Sequence, residues 1–559
     1  MTPSNDTLPP DDPYAPQPSW AEQNPKLVWS ASVFALTVLL TFLAFPPVDM
    51  GEAAYLLLVP AAWWAFQVPA FRLYAAVTLG ANVLAWTALL AWLHNVTWIG
   101  MFLLGPLVGL IGGTWFLVAW WVIGRIRGQR VVVRVFALLG LAALWVLLEW
   151  ARSWIFGGFP WLPLAASQWQ RPAVLQIAAY GGAWAVSFIL VFFNLGLAAL
   201  VQRLFFEKEA GKRSPEFMVA MLVFVCATMP LLRELFGQER QKIARVALVQ
   251  PYIDQGEKWD PERARAVLET LEELTLHASV SDNPDAILWP EAVVPWALHR
   301  DPNVQPWLET VARRAGAPLL LGTVFTRPEL PEDKQWFNGA FVVDPRLGLQ
   351  PAGYAKRKLV PFGEYIPLRP LLGWLEKFVP IGGEFQRGGE ARPLPLRVPS
   401  GELPVGVLIC YEDTFPALAR ESTLRGAEVL AVLTNNGWFG EGGAAYQHAA
   451  HSVLRAVENR RPLLRVGNGG WSGWIDEYGH IRATLTGPDG RVYFRGHETV
   501  EISRDRRWQG RASFYVQHGD WFVIACVVVA SLGYYLVRTV RPPRPEPEQP
   551  QRRSRFRIR

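Results

Sequence analysis

Apolar residues lie along this chain in blocks. From about residue 27 to 235 Leu, Val, Ala, Phe and Trp dominate, and charges are confined to short connections. Crossing a bilayer takes roughly 20 apolar residues. Windows of that kind fall at 28–46, 52–70, 73–94, 100–124, 134–151, 173–202 and 216–235, and an eighth, 519–538, follows a long polar stretch. A cleaved leader is disfavoured for the first window. Lys26 is the one basic residue ahead of it, no small-residue cleavage site follows, and further spans come at once.

Between about 240 and 511 the pattern changes to short β-rich runs alternating with helical periodicity. Strands are predicted at 246–250, 286–289, 319–324, 339–343, 405–410, 429–434 and 463–466, and helices at 261–279, 303–315 and 446–460. Such alternation implies a sheet packed by helices. The stretch 354–392, rich in Pro and Gly, reads as loops beside a site. The division expected is a tail (1–27), a seven-span bundle (28–238), an α/β domain (239–512), one further span (519–538) and a basic tail (539–559).

Charge sets the expected orientation. Arg125, Arg127, Arg130 and Arg134 follow the fourth span, and Arg203, Lys208, Lys212 and Arg213 follow the sixth. The C-terminal tail carries eight arginines, from Arg538 to Arg559. With eight spans all three segments share one side, the cytoplasm, so the α/β domain is expected outside it. The net charge of +6 sits largely in that tail. It reads as topogenic and attracted to anionic lipid, and no nucleic-acid partner is expected.

Cys226 and Cys526 fall inside spans, which leaves Cys410 alone in the α/β domain with no disulfide partner there. It lies in Val407-Leu408-Ile409-Cys410-Tyr411-Glu412-Asp413, at the end of an apolar strand. Strand ends are where sheets of this type present side chains for chemistry. Two more segments stand out: Leu288-Trp289-Pro290-Glu291, and Tyr354-Ala355-Lys356-Arg357-Lys358-Leu359-Val360-Pro361-Phe362-Gly363-Glu364. A Glu, a Lys and a Cys form a coherent set. The carboxylate takes the thiol proton and later returns it, and the ammonium stabilises thiolate and oxyanion. Taken singly, each has a plainer reading: a loop carboxylate, a surface lysine, a packed thiol. No spacing suggests a metal site, and no cofactor is implied.

The order Glu…Lys…Cys, with WPE, LVPFGE and ICYE around its members, resembles the nitrilase superfamily of carbon–nitrogen hydrolases. The form LVPFGEYIP, joined to an N-terminal bundle and one C-terminal span, is similar to the apolipoprotein N-acyltransferases, over about 27–540. The resemblance implies an extracytoplasmic nitrilase-like αββα sandwich in the cell (inner) membrane. It implies a transfer in two steps, from a phospholipid to Cys410 as a thioester, then to the N-terminal amine of a diacylglyceryl-modified apolipoprotein. Glu291 would be general base and acid, and Lys356 the oxyanion stabiliser. Glu364 and Glu412 would support the lysine and the site, Tyr411 would shape the nucleophile's surroundings, and Trp259 would line the lipid entrance. Trp438, in Asn435-Asn436-Gly437-Trp438-Phe439-Gly440, falls in what resembles the family's mobile loop. His448 invites a Cys–His dyad, but a helix-start residue bonded to backbone is the expected reading, since Glu and Lys fill the roles.

The connection Phe156-Gly157-Gly158-Phe159-Pro160-Trp161-Leu162 suits a membrane interface and is expected either at a lateral lipid entrance or as an ordinary interfacial aromatic anchor. Glu149, near the end of span five, is expected to pair with Arg152 or lipid headgroups. The alternative function is a membrane-anchored amidase using the same three residues with water as acceptor. A non-catalytic receptor is disfavoured because none of the three is missing. Nothing in the residues bears on oligomeric state, and a monomer is expected by default.

Overall fold

The computed structural model describes residues 24–207, 213–231, 239–258, 260, 262–367, 369–374 and 384–540. In the bundle, helices α1 (Pro25–Ala44), α2 (Val59–Phe66), α3 (Phe71–Leu89), α4 (Trp98–Ile126), α5 (Val131–Arg152), α6 (Ala178–Phe206) and α7 (Pro215–Thr228) follow the apolar windows, with one difference. The window 52–70 is not a continuous helix. It breaks into a 3-10 turn, Gly51–Tyr55, followed by the short α2. Backbone freed inside a bundle has to be paired by neighbours. Asn194 of α6 does this: its amide donates to Ala54 O (2.8 Å) and its carbonyl accepts from Leu58 N (3.0 Å). Gln168 donates to Gly51 O at 2.7 Å.

Close helix crossings use small residues. A Cβ at Gly105, Gly109 or Gly113 of α4 would come within 2.8 Å of α3, and the Gly140 and Gly533 backbones touch where α5 meets the C-terminal helix α12 (Trp521–Thr539). Among the described residues five helices, α1, α4, α5, α6 and α12, are long and apolar enough to cross a membrane. Residues 232–235 of the window 216–235 lie outside the described residues.

The α/β domain pairs two six-stranded sheets. Its strands are β1 (Arg240–Gln250), β2 (Ala286–Trp289), β3 (Leu319–Thr326), β4 (Trp336–Asp344), β5 (Gly348–Ala355), β6 (Leu394–Val398), β7 (Gly401–Ile409), β8 (Val429–Thr434), β9 (Leu463–Gly467), β10 (Gly473–Ile475), β11 (Ile481–Thr484) and β12 (Gly496–Asp505). One sheet runs β12-β1-β2-β3-β4-β5 and the other β11-β10-β9-β8-β7-β6. Period-two alternation builds the layers. Val246 and Leu248 of β1 face the opposing sheet, while Ala247 and Val249 face α8 (Ala264–Asp282) and α9 (Val304–Ala315). On the second sheet Val429, Ala431 and Leu433 face inward, and Leu430 and Val432 face out. The outward face packs against α10 (Pro416–Leu424) and α11 (Ala444–Asn459). The result is the expected αββα sandwich.

The predicted strands form, and β5 extends into the stretch read as loops, ending one residue before Lys356. In α11 every residue but Tyr446 is buried, because the helix lies between the second sheet and the bundle. A single apolar core runs from sheet through α11 into the membrane helices. The carboxylate of Glu458, on α11, even accepts from Ala183 N (2.8 Å), just after α6 breaks at Gly182 (φ 69°).

Candidate active site

Three strand ends deliver the three predicted groups: Glu291 follows β2, Lys356 follows β5, and Cys410 follows β7. The turn carrying Glu291 is pressed against β3. A Cβ on Gly322 would stand 2.6 Å from Glu291 Cα, so only glycine fits there. Lys356 is fixed at its backbone, where its N–H donates to Asn338 O at 2.8 Å and its carbonyl accepts from Gly388 N at 2.8 Å. Cys410 has φ 51°, a left-handed conformation that costs a non-glycine residue on the order of 1–3 kcal/mol and is held by its surroundings.

The structure brings Glu291, Lys356 and Glu364 into direct contact. Lys356 Nζ donates to Glu291 Oε1 and to Glu364 Oε1, both at 3.0 Å. Asn338 was not foreseen. Its amide donates to the same two oxygens, at 2.8 and 3.0 Å, which locks the carboxylates around the ammonium. The signal for it was a lone polar side chain within the apolar run of β4.

Glu412 supports the lysine indirectly. It accepts from Tyr354 Oη (2.7 Å), Ile409 N (2.8 Å), Arg357 N (2.6 Å) and Lys358 N (3.0 Å), tying the backbone after Lys356 to the nucleophile's strand. Trp438 is 42% exposed and makes no hydrogen bond or ring contact with the three central residues among those described. Trp259 lies outside the described residues.

Charge follows from this packing. Burial alone would raise the Glu291 carboxyl, but the Lys356 charge, hydrogen bonds from Lys356 and Asn338, and the Lys258 charge hold it below its ordinary value. Burial opposes the Lys356 ammonium, yet Glu291 and Glu364 hold its pKa well above the usual. The Cys410 thiol is pushed up to about 12 by burial and by the Glu291 charge. Lys356 and hydrogen bonds from the Thr434 side chain and the Asn435 backbone oppose that shift. The resting site is therefore a neutral thiol beside an ionised carboxylate. Lys258, also not foreseen as a site residue, is buried and pushed down to about 8 by that burial, against the charges of Glu291 and Cys410.

Behind Cys410 lies a second polar cluster. Asp413 accepts from Arg465 Nη1 (2.6 Å) and Ser452 Oγ (2.7 Å), and its other oxygen is 2.8 Å from His448 Nε2. The same nitrogen is 3.2 Å from the Cys410 carbonyl oxygen. His448 thus reaches the Cys410 backbone, as expected, and makes no Cys–His dyad. It is more than a helix-start residue, however, since it is fully buried in an ionic network.

The flank of Cys410 at Tyr411 and His448 is closed by the bundle. Tyr411 Oη donates to Gly158 O at 2.9 Å, Phe159 stacks on Tyr411, and Trp161 packs on His448 with centroids 5.2 Å apart. Trp161 and Leu162 are buried at this junction. Gln447 sits at its centre with all four amide valences used. It donates to Pro46 O and Leu89 O, and accepts from Trp92 Nε1 and Trp161 Nε1. Glu149 and Arg152, both buried, attract one another electrostatically, with no direct ion-pair contact between them among the described residues; Glu149 accepts from Trp145 Nε1 (2.8 Å) and Leu164 N (2.7 Å). Among the described residues no cluster of three His, Cys, Asp or Glu side chains could hold a metal ion.

An αββα sandwich with Glu, Lys and Cys converging from three strand ends, welded to membrane helices, defines a membrane-borne enzyme of the carbon–nitrogen hydrolase class. Residues 245–503 match the family model for carbon-nitrogen hydrolase, and 37–196 that for the apolipoprotein N-acyltransferase N-terminal domain. The chain belongs to the apolipoprotein N-acyltransferase family. The apolipoprotein N-acyltransferase of Geobacter metallireducens is 33% identical over 405 residues, covering 71% of this chain and 74% of that protein. That of Chlorobaculum tepidum is 32% identical over 428 residues, covering 72% and 77%. Among solved structures, a nitrilase-superfamily amidase from Nesterenkonia AN1 aligns with 52% of this chain and 98% of its own, at 20% identity and a TM-score of 0.37.

Proposed function

We propose that this enzyme moves a fatty acyl group from a membrane phospholipid to the N-terminal amine of a diacylglyceryl-cysteine apolipoprotein, through a thioester on Cys410. The observation that carries this reading is the contact of Tyr411, next to the nucleophile, with Gly158 of the bundle. It supports the reading because Tyr411 adjoins Cys410 in sequence and reaches a loop of the bundle, where a lipid donor and a lipid-modified acceptor would be at hand. Glu291 takes the Cys410 proton as the thiolate attacks the ester carbonyl, and Lys356 stabilises the oxyanion. Collapse breaks the ester C–O bond, and Glu291 returns its proton to the leaving lysophospholipid oxygen. The acceptor amine then attacks the thioester and gives a proton to Glu291; the C–S bond breaks, and Glu291 passes that proton to the departing sulfur, which restores the Cys410 thiol and the Glu291 carboxylate.

The reading includes seven spans before the catalytic domain and one after it. The basic connections would lie in the cytoplasm and the catalytic domain on the outer face of the cell membrane. The aromatic loop 156–162 supports a lipid entrance beside it, because the exposed Trp154 and Ile155 just ahead of it lead into the buried part that holds Tyr411. Incubation of the detergent-solubilised protein with phospholipid alone, followed by peptide mass spectrometry, is the test. A hydroxylamine-labile acyl mass on the Cys410 peptide, absent in Cys410→Ala, is expected. An unmodified Cys410 whose thiol is accessible, together with amide hydrolysis, would replace the transferase with the amidase.

A further inference from the structure

Three polar side chains lead from the buried cluster to the nucleophile. His448 Nδ1 is 3.0 Å from Asn436 Oδ1, Thr434 Oγ1 donates to the same oxygen at 3.2 Å, and Thr434 stands beside Cys410 at the paired ends of β8 and β7, one residue past the Leu433–Ile409 pair. All are buried, and Asn436 Nδ2 has no hydrogen-bond partner among the described residues. In this arrangement both ring nitrogens of His448 face acceptors: Asp413 and the Cys410 carbonyl on one side, Asn436 on the other. That suits an imidazolium. Yet burial, together with the nearby Arg465, favours the neutral ring against the pull of Asp413.

A neutral ring donating from Nε2 to Asp413 needs a donor at Nδ1. A half-turn of the Asn436 amide supplies one and gives its orphaned NH2 a partner. The Oδ1 acceptor then leaves Thr434, whose O–H is released to point at sulfur. The charged and titratable groups facing His448 are Asp413, Arg465 beyond it, and His451 on the same helix; the bundle presents Trp161.

We propose that Thr434 is a further catalytic residue, and that Asn436 and His448 are positioning residues that aim its hydroxyl at the Cys410 sulfur to stabilise the thiolate. This gives a role to Asn436 of the Asn435–Gly440 loop and to Thr434 just before it. It rests on Cys410 being the nucleophile, but not on the identity of donor or acceptor.

The test is the rate of Cys410 alkylation by iodoacetamide at pH 8 in the solubilised full-length protein, read on the Cys410 peptide by mass spectrometry. A hydrogen bond to a charged group is worth about one pKa unit, so Thr434→Val is expected to alkylate about tenfold more slowly. Thr434→Ser, which keeps the hydroxyl, should stay within about twofold of the parent rate. Asn436→Asp presents only acceptors, so it should turn the hydroxyl away and match Thr434→Val. The double variant should be no slower than either single one, because both remove the same bond. Parental rates in Thr434→Val, a Ser variant as slow as Val, or multiplicative slowing in the double variant would each overturn the proposal. Because the reagent is not a lipid, failure of acyl transfer from phospholipid would leave this result readable.

Discussion

Tyr411 Oη donates a hydrogen bond to Gly158 O across the junction between the catalytic domain and the bundle. The donor neighbours the nucleophile, and the acceptor belongs to a loop whose glycine has φ 87° and no room for a Cβ, which would meet Ser153 O at 2.1 Å. Tyr411→Phe keeps the ring stacked on Phe159 and removes only this bond, worth about 0.5–1.5 kcal/mol. Acyl-enzyme formation from phospholipid should fall roughly threefold to tenfold at unchanged iodoacetamide reactivity. Equal losses in both assays would mean that the bond serves the thiol and not the placement of lipid.

Glu291 and Glu364 share the Lys356 ammonium, but only Glu291 is assigned proton transfer. Glu291→Gln should lower thioester formation by about 100-fold or more, the usual contribution of a general acid–base. Glu364→Gln should retain more activity and show its loss chiefly as a lower thermal midpoint. Single-turnover acylation of both variants, set beside their melting curves, decides this. A Glu364→Gln variant as inactive as Glu291→Gln while equally stable would assign the proton to the wrong carboxylate.

Asn338 donates to both carboxylates, and its replacement by Asp would set a third negative group among them. Like charges in one buried site raise one another's pKa. Asn338→Asp is therefore expected to shift the acid limb of the pH–acylation profile upward by about one unit or more, whereas Asn338→Ala lowers the rate with a smaller shift. Identical profiles in the two variants would reduce Asn338 to a packing role.

Stability should change with acid in a particular order. Glu291 and Asp413 are held below their ordinary values of 4.5 and 3.8. Each contributes stability present above its unfolded value and lost as pH falls through the lower folded one. Burial holds His448 and His451 below 6.5, so their contribution also declines as pH drops below that value. Glu458, pushed up to about 7 by burial, has the opposite sign: it binds a proton in the folded state first and gains as pH falls from 7 to 4.5. The thermal midpoint should thus change little between pH 7 and 4.5 and drop below. Asp413→Asn, which strands the buried Arg465 charge, should lower the midpoint at pH 7 by about 3–5 kcal/mol equivalent and flatten the acid limb. A steep fall already at pH 6 would mean that the histidines dominate.

The chemistry was legible because it sits at strand ends marked by apolar runs: Leu288-Trp289 before Glu291, and Leu408-Ile409 before Cys410. Those runs gave the two sheets most of their strands, and helical periodicity placed the helices that cover them. The second window was misjudged because hydropathy measures whether a segment tolerates lipid, not whether its backbone stays helical. Asn194, some 140 residues away, is what makes the break possible. Asn338 and the cluster of Asp413, His448 and Arg465 were hidden for a related reason. Their partners come from separate strands and helices, and no local spacing encodes that meeting. Closeness along the helix did place the Glu149 and Arg152 charges together, but the direct hydrogen bonds to Glu149 come from Leu164 and Trp145.

Gln447, with its four bonds to Pro46, Leu89, Trp92 and Trp161, bears on how this enzyme can be taken apart. Excising residues 239–512 as a water-soluble fragment would strip those partners and leave an amide with nothing but water to replace them. It would also uncover the apolar side of α11 that the bundle now covers. Such a fragment would carry every reacting group and still be prone to aggregate through that face. The bundle thus covers one side of the catalytic half as well as joining it, and engineering a soluble version means redesigning α11 before touching the active site.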